Sequence, residues 1–184
     1  LMSAKTSKKP AQATKWKNWH FYLIFIVLGF IFYGNTLKNH YSMDDELVTT
    51  TYSYDPNDPD ERVLDHSHEN VEKGITGIGD IFTSHYAVGN RQSYSYRPIT
   101  TLSFAVEYQF FGSNPAVSHF FNVLLYGIVI IMIFKFIRMA APRSNIWLAA
   151  LVGFLFLIHP LHTEVVASIK SRDELLCLIL GMLS

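Results

Sequence analysis

Long apolar runs alternate with long polar runs along the chain, and the apolar runs have the length of membrane-spanning helices. Residues 18–37 carry no Lys, Arg, Asp or Glu and have aromatic residues near both ends. Such a run can cross an apolar layer of roughly 30 Å, so it predicts a first transmembrane helix. Residues 116–136 and 145–163 are similarly apolar and predict a second and a third. Residues 175–184 start a fourth run of about half a span, and we expect the chain to be truncated there.

The polar segment between the first two apolar runs, residues 38–115, predicts a large loop that carries short helices. Within it, residues 54–70 are rich in Asp, Pro and Asn and are typical of an irregular loop. Apolar residues at helical intervals predict an amphipathic helix over 71–86, which several Gly residues weaken. Residues 97–112 begin with Arg-Pro and end with Gly, and they predict a helix that lies on the membrane interface.

The distribution of charge predicts how these helices are oriented. Residues 1–17 are basic and hold no acid, residues 137–144 are also basic, and residues 38–115 hold twelve acids against five bases. Because basic segments are retained in the cytoplasm, we predict a cytoplasmic amino-terminal tail, a cytoplasmic loop at 137–144, and an exoplasmic position for 38–115 and for a short loop at 164–174. A cleaved signal peptide is the alternative for the first run, but its bulky residues and the lack of a small-x-small cleavage site disfavour it.

Composition agrees with an all-α integral membrane protein, a polytopic helical bundle. The chain has 184 residues, no net charge and a mean hydropathy of +0.18. Cys177 is the sole cysteine, so a disulfide framework within the chain is excluded. We expect membrane lipids among its partners and no nucleic acid.

Three adjacent acids, Asp44, Asp45 and Glu46, follow the first apolar run. Adjacent carboxylates repel one another, so at least one of them should bind a proton or a cation with raised affinity. A carboxylate at the boundary between water and lipid can act as a general base toward a hydroxyl, or can hold a divalent cation. A solvated acidic turn is the alternative interpretation.

A second charged stretch, "HPLHTEVVASIKSRDELL" at residues 159–176, separates the third and fourth apolar runs. Glu164 and Arg172 lie too far apart on one helix to pair, but both can face one cavity. Arg172 and Lys170 could bind a phosphate, or they could extend toward lipid head groups. The spacing of His159 and His162 favours interfacial histidines over a metal site.

Arg97, before Pro98, adds a further basic group that we place on the same side of the membrane. It could equally be an ordinary charge at the start of a helix. Together, the acidic cluster, Arg97 and the mixed charged stretch combine bases with phosphate-binding cations beside a lipid-facing wall. That combination favours a lipid-phosphate substrate.

The chain resembles the amino-terminal part of GT-C membrane glycosyltransferases, in particular the TMTC-type and protein O-mannosyltransferase-like group. The resemblance rests on "DDE" at 44–46, on "YRPITTLSFAVEYQFFG" at 96–112 with "NPAVSHFFNVLLY" after it, and on the stretch at 159–176. It implies a bundle of many transmembrane helices with a large exoplasmic first loop bearing interface helices. It also implies transfer of a sugar from a polyprenyl-phosphate donor to an acceptor hydroxyl on a protein Ser or Thr or on a glycan.

The resemblance also implies roles for particular residues. The acid in the first loop acts as catalytic base, which here is Asp44 or Asp45, and the second exoplasmic loop contributes to the donor and acceptor site. The expected substrate-binding set is Glu46, Arg97, His162, Glu164, Arg172 and Asp173. In this mechanism the base takes the hydroxyl proton, and Arg172, helped by Arg97 or a divalent cation, stabilises the departing polyprenyl phosphate. We expect the fragment alone to be inactive.

Two non-enzymatic alternatives remain open. Charged residues at helix ends also line the pathways of transporters, although the second and third apolar runs lack deep ionised groups. A scaffold whose acidic loop binds a partner protein is the other alternative, and it would tolerate loss of the three acids. The expected location is a bacterial inner membrane, with the endoplasmic reticulum membrane as the alternative.

Overall fold

The structure is a computed structural model that describes residues 16–42, 45, 49, 64–65, 67–84, 87–89, 92–94 and 96–184. The helices, in chain order, are α1 (Asn18–Tyr33), α2 (Ser67–Glu72), α3 (Ile78–Thr83), α4 (Pro98–Phe111), α5 (Pro115–Ala140), α6 (Ile146–Leu157), α7 (His162–Ala167) and α8 (Arg172–Leu183). Two 3-10 segments, Gly34–Lys38 and Gly74–Gly77, extend α1 and precede α3. Three short strands, β1 (Leu64–Asp65), β2 (Ala87–Gly89) and β3 (Gln92–Tyr94), form an antiparallel sheet in that order.

Two helices in the described part of the chain are long and apolar enough to cross a membrane. They are Asn18–Lys38, which joins α1 to its 3-10 extension, and α5. Pro115 starts α5 at a position where its missing N–H is not needed, and the side chain of Asn114 caps the helix by accepting from the Ala116 N–H at 3.1 Å. The predicted helical class is confirmed, and the length and composition of these two helices agree with the predicted membrane character.

The third apolar helix is shorter than predicted. We expected a span over 145–163, but α6 ends at Leu157 after 12 residues. Pro160 lacks an N–H and forces the residue before it away from helical geometry, so the helix cannot continue through His159. The predicted loop at 164–174 is correspondingly mostly helical, because α7 covers its first residues and α8 begins at Arg172.

The core lies where α1, α5 and α6 pack together. Phe21 and Phe25 of α1 are buried against Phe134 of α5, with the Phe21 and Phe134 ring centroids 5.4 Å apart. Gly153 on α6 faces the ring of Phe25, and Gly127 on α5 faces Ile26. Small residues at these crossings let the helices approach closely, which is the usual packing device of membrane helices.

The polar segment before α5 forms a smaller packed unit. The helix predicted over 71–86 is interrupted, because Gly74 adopts φ 58°, a left-handed conformation that breaks a regular helix. The helix predicted over 97–112 is present as α4, and Gly112, at φ 62°, ends it. The sheet was not predicted. Val71 and Phe104 pack with Ile169, so this unit also contacts the connection between α7 and α8.

The close approach at Gly153 predicts the effect of adding a side chain there. We expect Gly153→Val to destabilise the protein by about 1–3 kcal/mol, because its methyl groups would overlap the buried ring of Phe25. The measurement is thermal unfolding of the purified protein in detergent. Gly181→Val is the matched control, since a side chain there meets nothing within 4 Å. Equal unfolding temperatures for the two variants would contradict the packing described here.

Candidate functional site

A polar cavity of about 570 Å³ opens where the segment after α1, the start of α4 and the connection between α7 and α8 meet. Ten residues line it: Asn39, Ser42, Arg97, Glu164, Ala167, Ser168, Lys170, Ser171, Asp173 and Glu174. We call it the polar cavity. It brings together Arg97, Glu164 and Asp173, which belong to the predicted substrate-binding set.

An apolar groove of about 1080 Å³ adjoins the polar cavity. Its walls are the first turn of α4, with Ile99, and the length of α8, with Leu176, Leu180 and Met182 among its residues. Arg97, Asp173 and Glu174 line both spaces. A charged border of side chains therefore separates a polar compartment from an apolar one.

Arg97 and Asp173 form an ion pair across this border. Arg97 is the residue before the first turn of α4, and Asp173 is the second residue of α8. Their side chains are 37% and 17% exposed, respectively. The pair is accessible to solvent and to any ligand that enters either space.

Asp45 is buried beneath the polar cavity and ties two parts of the chain together. One oxygen of its carboxylate, Oδ1, accepts from the Lys170 N–H at 2.8 Å and from the Ser168 hydroxyl at 3.3 Å. The other, Oδ2, accepts from the Ser42 N–H at 3.4 Å, and Asp45 as a whole is 1% exposed. The carboxylate thus holds the connection between α7 and α8 against the segment that follows α1.

The other two acids of the cluster, Asp44 and Glu46, lie outside the described residues. Ser42, which lines the polar cavity, is two positions before Asp44 in the sequence. The assignments of Asp44 as base and Glu46 as substrate ligand therefore stay predictions.

Arg172 has a different position from the one expected of a phosphate-binding residue. Its side chain is 1% exposed and lies with its guanidinium carbon 4.2 Å from the ring centre of Phe104. Its Nη1 donates to Glu107 Oε1 at 2.5 Å, its Nε to Asn122 Oδ1 at 2.8 Å and its Nη2 to the Ser118 carbonyl at 2.9 Å. In this structure the guanidinium binds α4 and α5 and does not face the polar cavity. Glu107, Asn122 and the Ser118 carbonyl supply the partners that a guanidinium removed from water requires.

The role of the polar face of α5 that holds Arg172 was not predicted from the sequence. Ser118 and Asn122 lie one turn apart, and the Ser118 hydroxyl donates to Glu107 Oε2 at 2.8 Å. Asn122 also donates to the Ser168 carbonyl at 2.9 Å. Polar residues at a spacing of one turn inside an apolar helix were the signal, because such groups are costly in a membrane span unless they have partners.

His162, another predicted substrate ligand, lies away from the polar cavity. Its Nδ1 is 2.8 Å from the Phe156 carbonyl and 3.0 Å from the Tyr126 hydroxyl. The Tyr33 hydroxyl donates to the Leu157 carbonyl at 3.0 Å. These contacts satisfy carbonyl groups that the end of α6 leaves without helical partners. The side chain of His162 therefore helps to cap the carboxyl-terminal end of α6.

No group of three His, Cys, Asp or Glu residues among the described residues has the arrangement of a metal site. The acidic cluster is described only at Asp45, so the divalent cation expected from the sequence stays a prediction. Glu164 and Glu174 are exposed carboxylates on the polar cavity and are available to polar ligands.

Three relatives illustrate what the chain is similar to. Protein O-mannosyl-transferase TMTC4 of Homo sapiens is 32% identical over 161 residues, which are 75% of this chain and 21% of that protein. Protein O-mannosyl-transferase TMTC1 of Homo sapiens is 28% identical over 156 residues, 83% of this chain and 16% of that protein. Protein O-mannosyl-transferase tmtc2 of Xenopus laevis is 41% identical over 80 residues, 44% of this chain and 9% of that protein.

These relatives confirm the resemblance to TMTC-type O-mannosyltransferases. The chain spans about a fifth of TMTC4 and less of the other two. No family model and no solved structure matches it.

The contacts of Arg172 predict that its removal destabilises the fold. We expect Arg172→Ala to cost about 3–5 kcal/mol, because it leaves the buried carboxylate of Glu107 without its cation. The measurement is the unfolding temperature of the full-length protein in detergent.

Two further variants make this test specific. Arg143→Ala removes an exposed Arg from the loop after α5 and should leave the unfolding temperature unchanged. Replacing both partners, Arg172→Met with Glu107→Leu, should recover part of the loss, since no buried charge is then unpaired. An Arg172→Ala protein as stable as the wild type would show that the guanidinium is not held as described.

Proposed function

Because the chain is homologous to animal protein O-mannosyl-transferases of the TMTC type, we propose that it is part of a membrane glycosyltransferase. The enzyme transfers a sugar, which we propose to be mannose, from a polyprenyl-phosphate donor to the hydroxyl of a protein Ser or Thr. The observation that carries this proposal is the polar cavity joined to the apolar groove. A lipid-linked sugar has the same two-part chemistry, with a polar head and a long apolar tail.

The position of Arg97 fits the phosphate that joins these two parts. Arg97 lines both the polar cavity and the apolar groove. A guanidinium can bind phosphate oxygens through two parallel hydrogen bonds. We therefore assign the phosphate contact to Arg97 in place of Arg172, whose donors are used inside the protein. Arg172 becomes the residue that holds the cavity wall in place.

The sugar and the acceptor then occupy the polar cavity. Glu164, Lys170 and Glu174 line it and supply both hydrogen-bond acceptors and a donor for sugar hydroxyls. In the proposed reaction the acceptor hydroxyl attacks the anomeric carbon while a carboxylate removes its proton. The bond from the anomeric carbon to the phosphate oxygen breaks, and the polyprenyl phosphate leaves with the electron pair.

We propose Asp44 as the base that removes this proton. The carboxylate of Asp45 is buried and already accepts hydrogen bonds from Ser42, Ser168 and Lys170. A base must reach the hydroxyl from which it takes the proton. Asp45 therefore fits a structural role, holding the two segments together, better than the role of catalytic base. Asp44 is its neighbour in the acidic cluster and is the remaining Asp there.

The two ends of the helical bundle carry different residues, and this difference supports an exoplasmic position for the site. Trp16, before α1, and Trp147, at the start of α6, meet at one end with ring centroids 5.5 Å apart. The basic residues Arg138, in the last turn of α5, and Arg143, just after it, lie at that same end, as expected of the cytoplasmic interface. The polar cavity lies at the opposite end. The relatives are animal proteins, which favours the endoplasmic reticulum membrane over the bacterial inner membrane.

A transfer assay can distinguish the roles of the two aspartates of the cluster, Asp44 and Asp45. In membranes containing the full-length protein, we expect Asp44→Asn to slow transfer of labelled mannose from polyprenyl-phosphate mannose by about 10²–10⁴-fold. Asp45→Ala should lower the unfolding temperature together with the rate, because it removes the acceptor for the Lys170 N–H. Both quantities are measured on the same preparations.

Asp80→Asn is the matched control, since Asp80 is an exposed acid of the same loop, paired with Lys73. It should transfer mannose at the wild-type rate. Full activity of Asp44→Asn would contradict the assignment of Asp44 as the catalytic base. Absence of transfer by the wild type with every donor would contradict the proposed function and favour a transporter or a scaffold.

A further inference from the structure

The ion pair between Arg97 and Asp173 lies where the two compartments of the site meet. Arg97, Asp173 and Glu174 are the residues that the polar cavity and the apolar groove share. A lipid whose sugar lies in the cavity and whose tail lies in the groove must pass over this border. Its phosphate therefore meets a guanidinium that already has a carboxylate partner.

We propose that Asp173 is a latch that competes with the lipid phosphate for Arg97. Without donor, Asp173 holds Arg97; when donor binds, the phosphate takes the place of the Asp173 carboxylate. The inference rests on the proposed function, and it adds a residue that sets donor affinity. Asp173 acts through Arg97 and is a positioning residue in this scheme.

The exposure of the pair makes such an exchange feasible. The side chains of Arg97 and Asp173 are 37% and 17% exposed, whereas those of the pair between Arg172 and Glu107 are 1% and 9% exposed. Partly solvated ion pairs are weak, and each partner can be rehydrated when the pair separates. The buried pair cannot exchange partners in this way, because separation would leave two charges without water. The two ion pairs at the base of α8 are therefore suited to different tasks.

The chemistry of the reaction gives the latch a second use. A polyprenyl-phosphate sugar is a phosphodiester with a single negative charge, and the released polyprenyl phosphate is a monoester that carries up to two. The product therefore binds a guanidinium more strongly than the donor does. Return of Asp173 to Arg97 opposes this gain and favours product release.

The test measures binding of dolichyl-phosphate mannose and of dolichyl phosphate to the full-length protein in nanodiscs. We expect Asp173→Asn to lower the Kd for dolichyl-phosphate mannose about twofold to fivefold, the size expected for a partly exposed ion pair. The Kd for dolichyl phosphate should fall by at least the same factor. Arg97→Ala should raise both Kd values, and adding Asp173→Asn to Arg97→Ala should give no gain.

Asp80→Asn is the matched control, because Asp80 also forms a solvent-exposed ion pair, with Lys73, but lines neither the polar cavity nor the apolar groove. An equal gain from Asp80→Asn would mean a general charge effect and would overturn the latch, as would weaker donor binding by Asp173→Asn at wild-type unfolding temperature. Soluble mannose 1-phosphate, tested in parallel, should bind the wild type much more weakly than dolichyl-phosphate mannose, and equal wild-type Kd values for the two would reject the role of the groove.

The latch and the proposed function fail in different ways. Mannose transfer by the wild type, with Kd values that Asp173→Asn leaves unchanged, would reject the latch and leave the enzyme assignment standing. A wild-type protein that neither binds nor uses dolichyl-phosphate mannose would reject both.

Discussion

Burial of the Arg172 guanidinium is the constraint on which the architecture around the two compartments depends. A charge removed from water is costly unless it is fully paired, and here Glu107 from α4 and Asn122 from α5 supply the partners. The first residue of α8 is thereby fixed to two other helices. Asp173 and Glu174, which follow it, are held at the border between the polar cavity and the apolar groove.

Asp45 has a comparable role on the other wall of the cavity. Its carboxylate accepts backbone and hydroxyl hydrogens from the connection between α7 and α8, which lies more than a hundred residues away in the chain. Ser42 and Asp45, after α1, therefore form one structural unit with the connection between α7 and α8. Removal of the Asp45 carboxylate should therefore loosen the contact between Ser42 and the connection between α7 and α8.

Much of this arrangement could be predicted from the pattern of the sequence. The apolar runs predicted the two long helices. Arg97-Pro98 and Gly112 predicted where α4 begins and ends. The role of Arg172 could not be predicted, because a basic residue at a helix end can extend to water or be buried, and its partner Glu107 is 65 residues away. Asp44 and Asp45 are chemically identical in the sequence, and the burial of Asp45 is what separates their expected roles. The strands, of two or three residues, are too short to give a periodic signal.

The early end of α6 has a consequence for the membrane itself. A helix of 12 residues is about 18 Å long, well short of an apolar layer of roughly 30 Å. Lipid beside a helix that is too short becomes thinner, because its acyl chains must match the apolar surface that the protein offers. The apolar layer of the bilayer next to α6 should therefore be thinner on the side of the polar cavity. Head groups there would lie deeper, closer to the opening of the polar cavity.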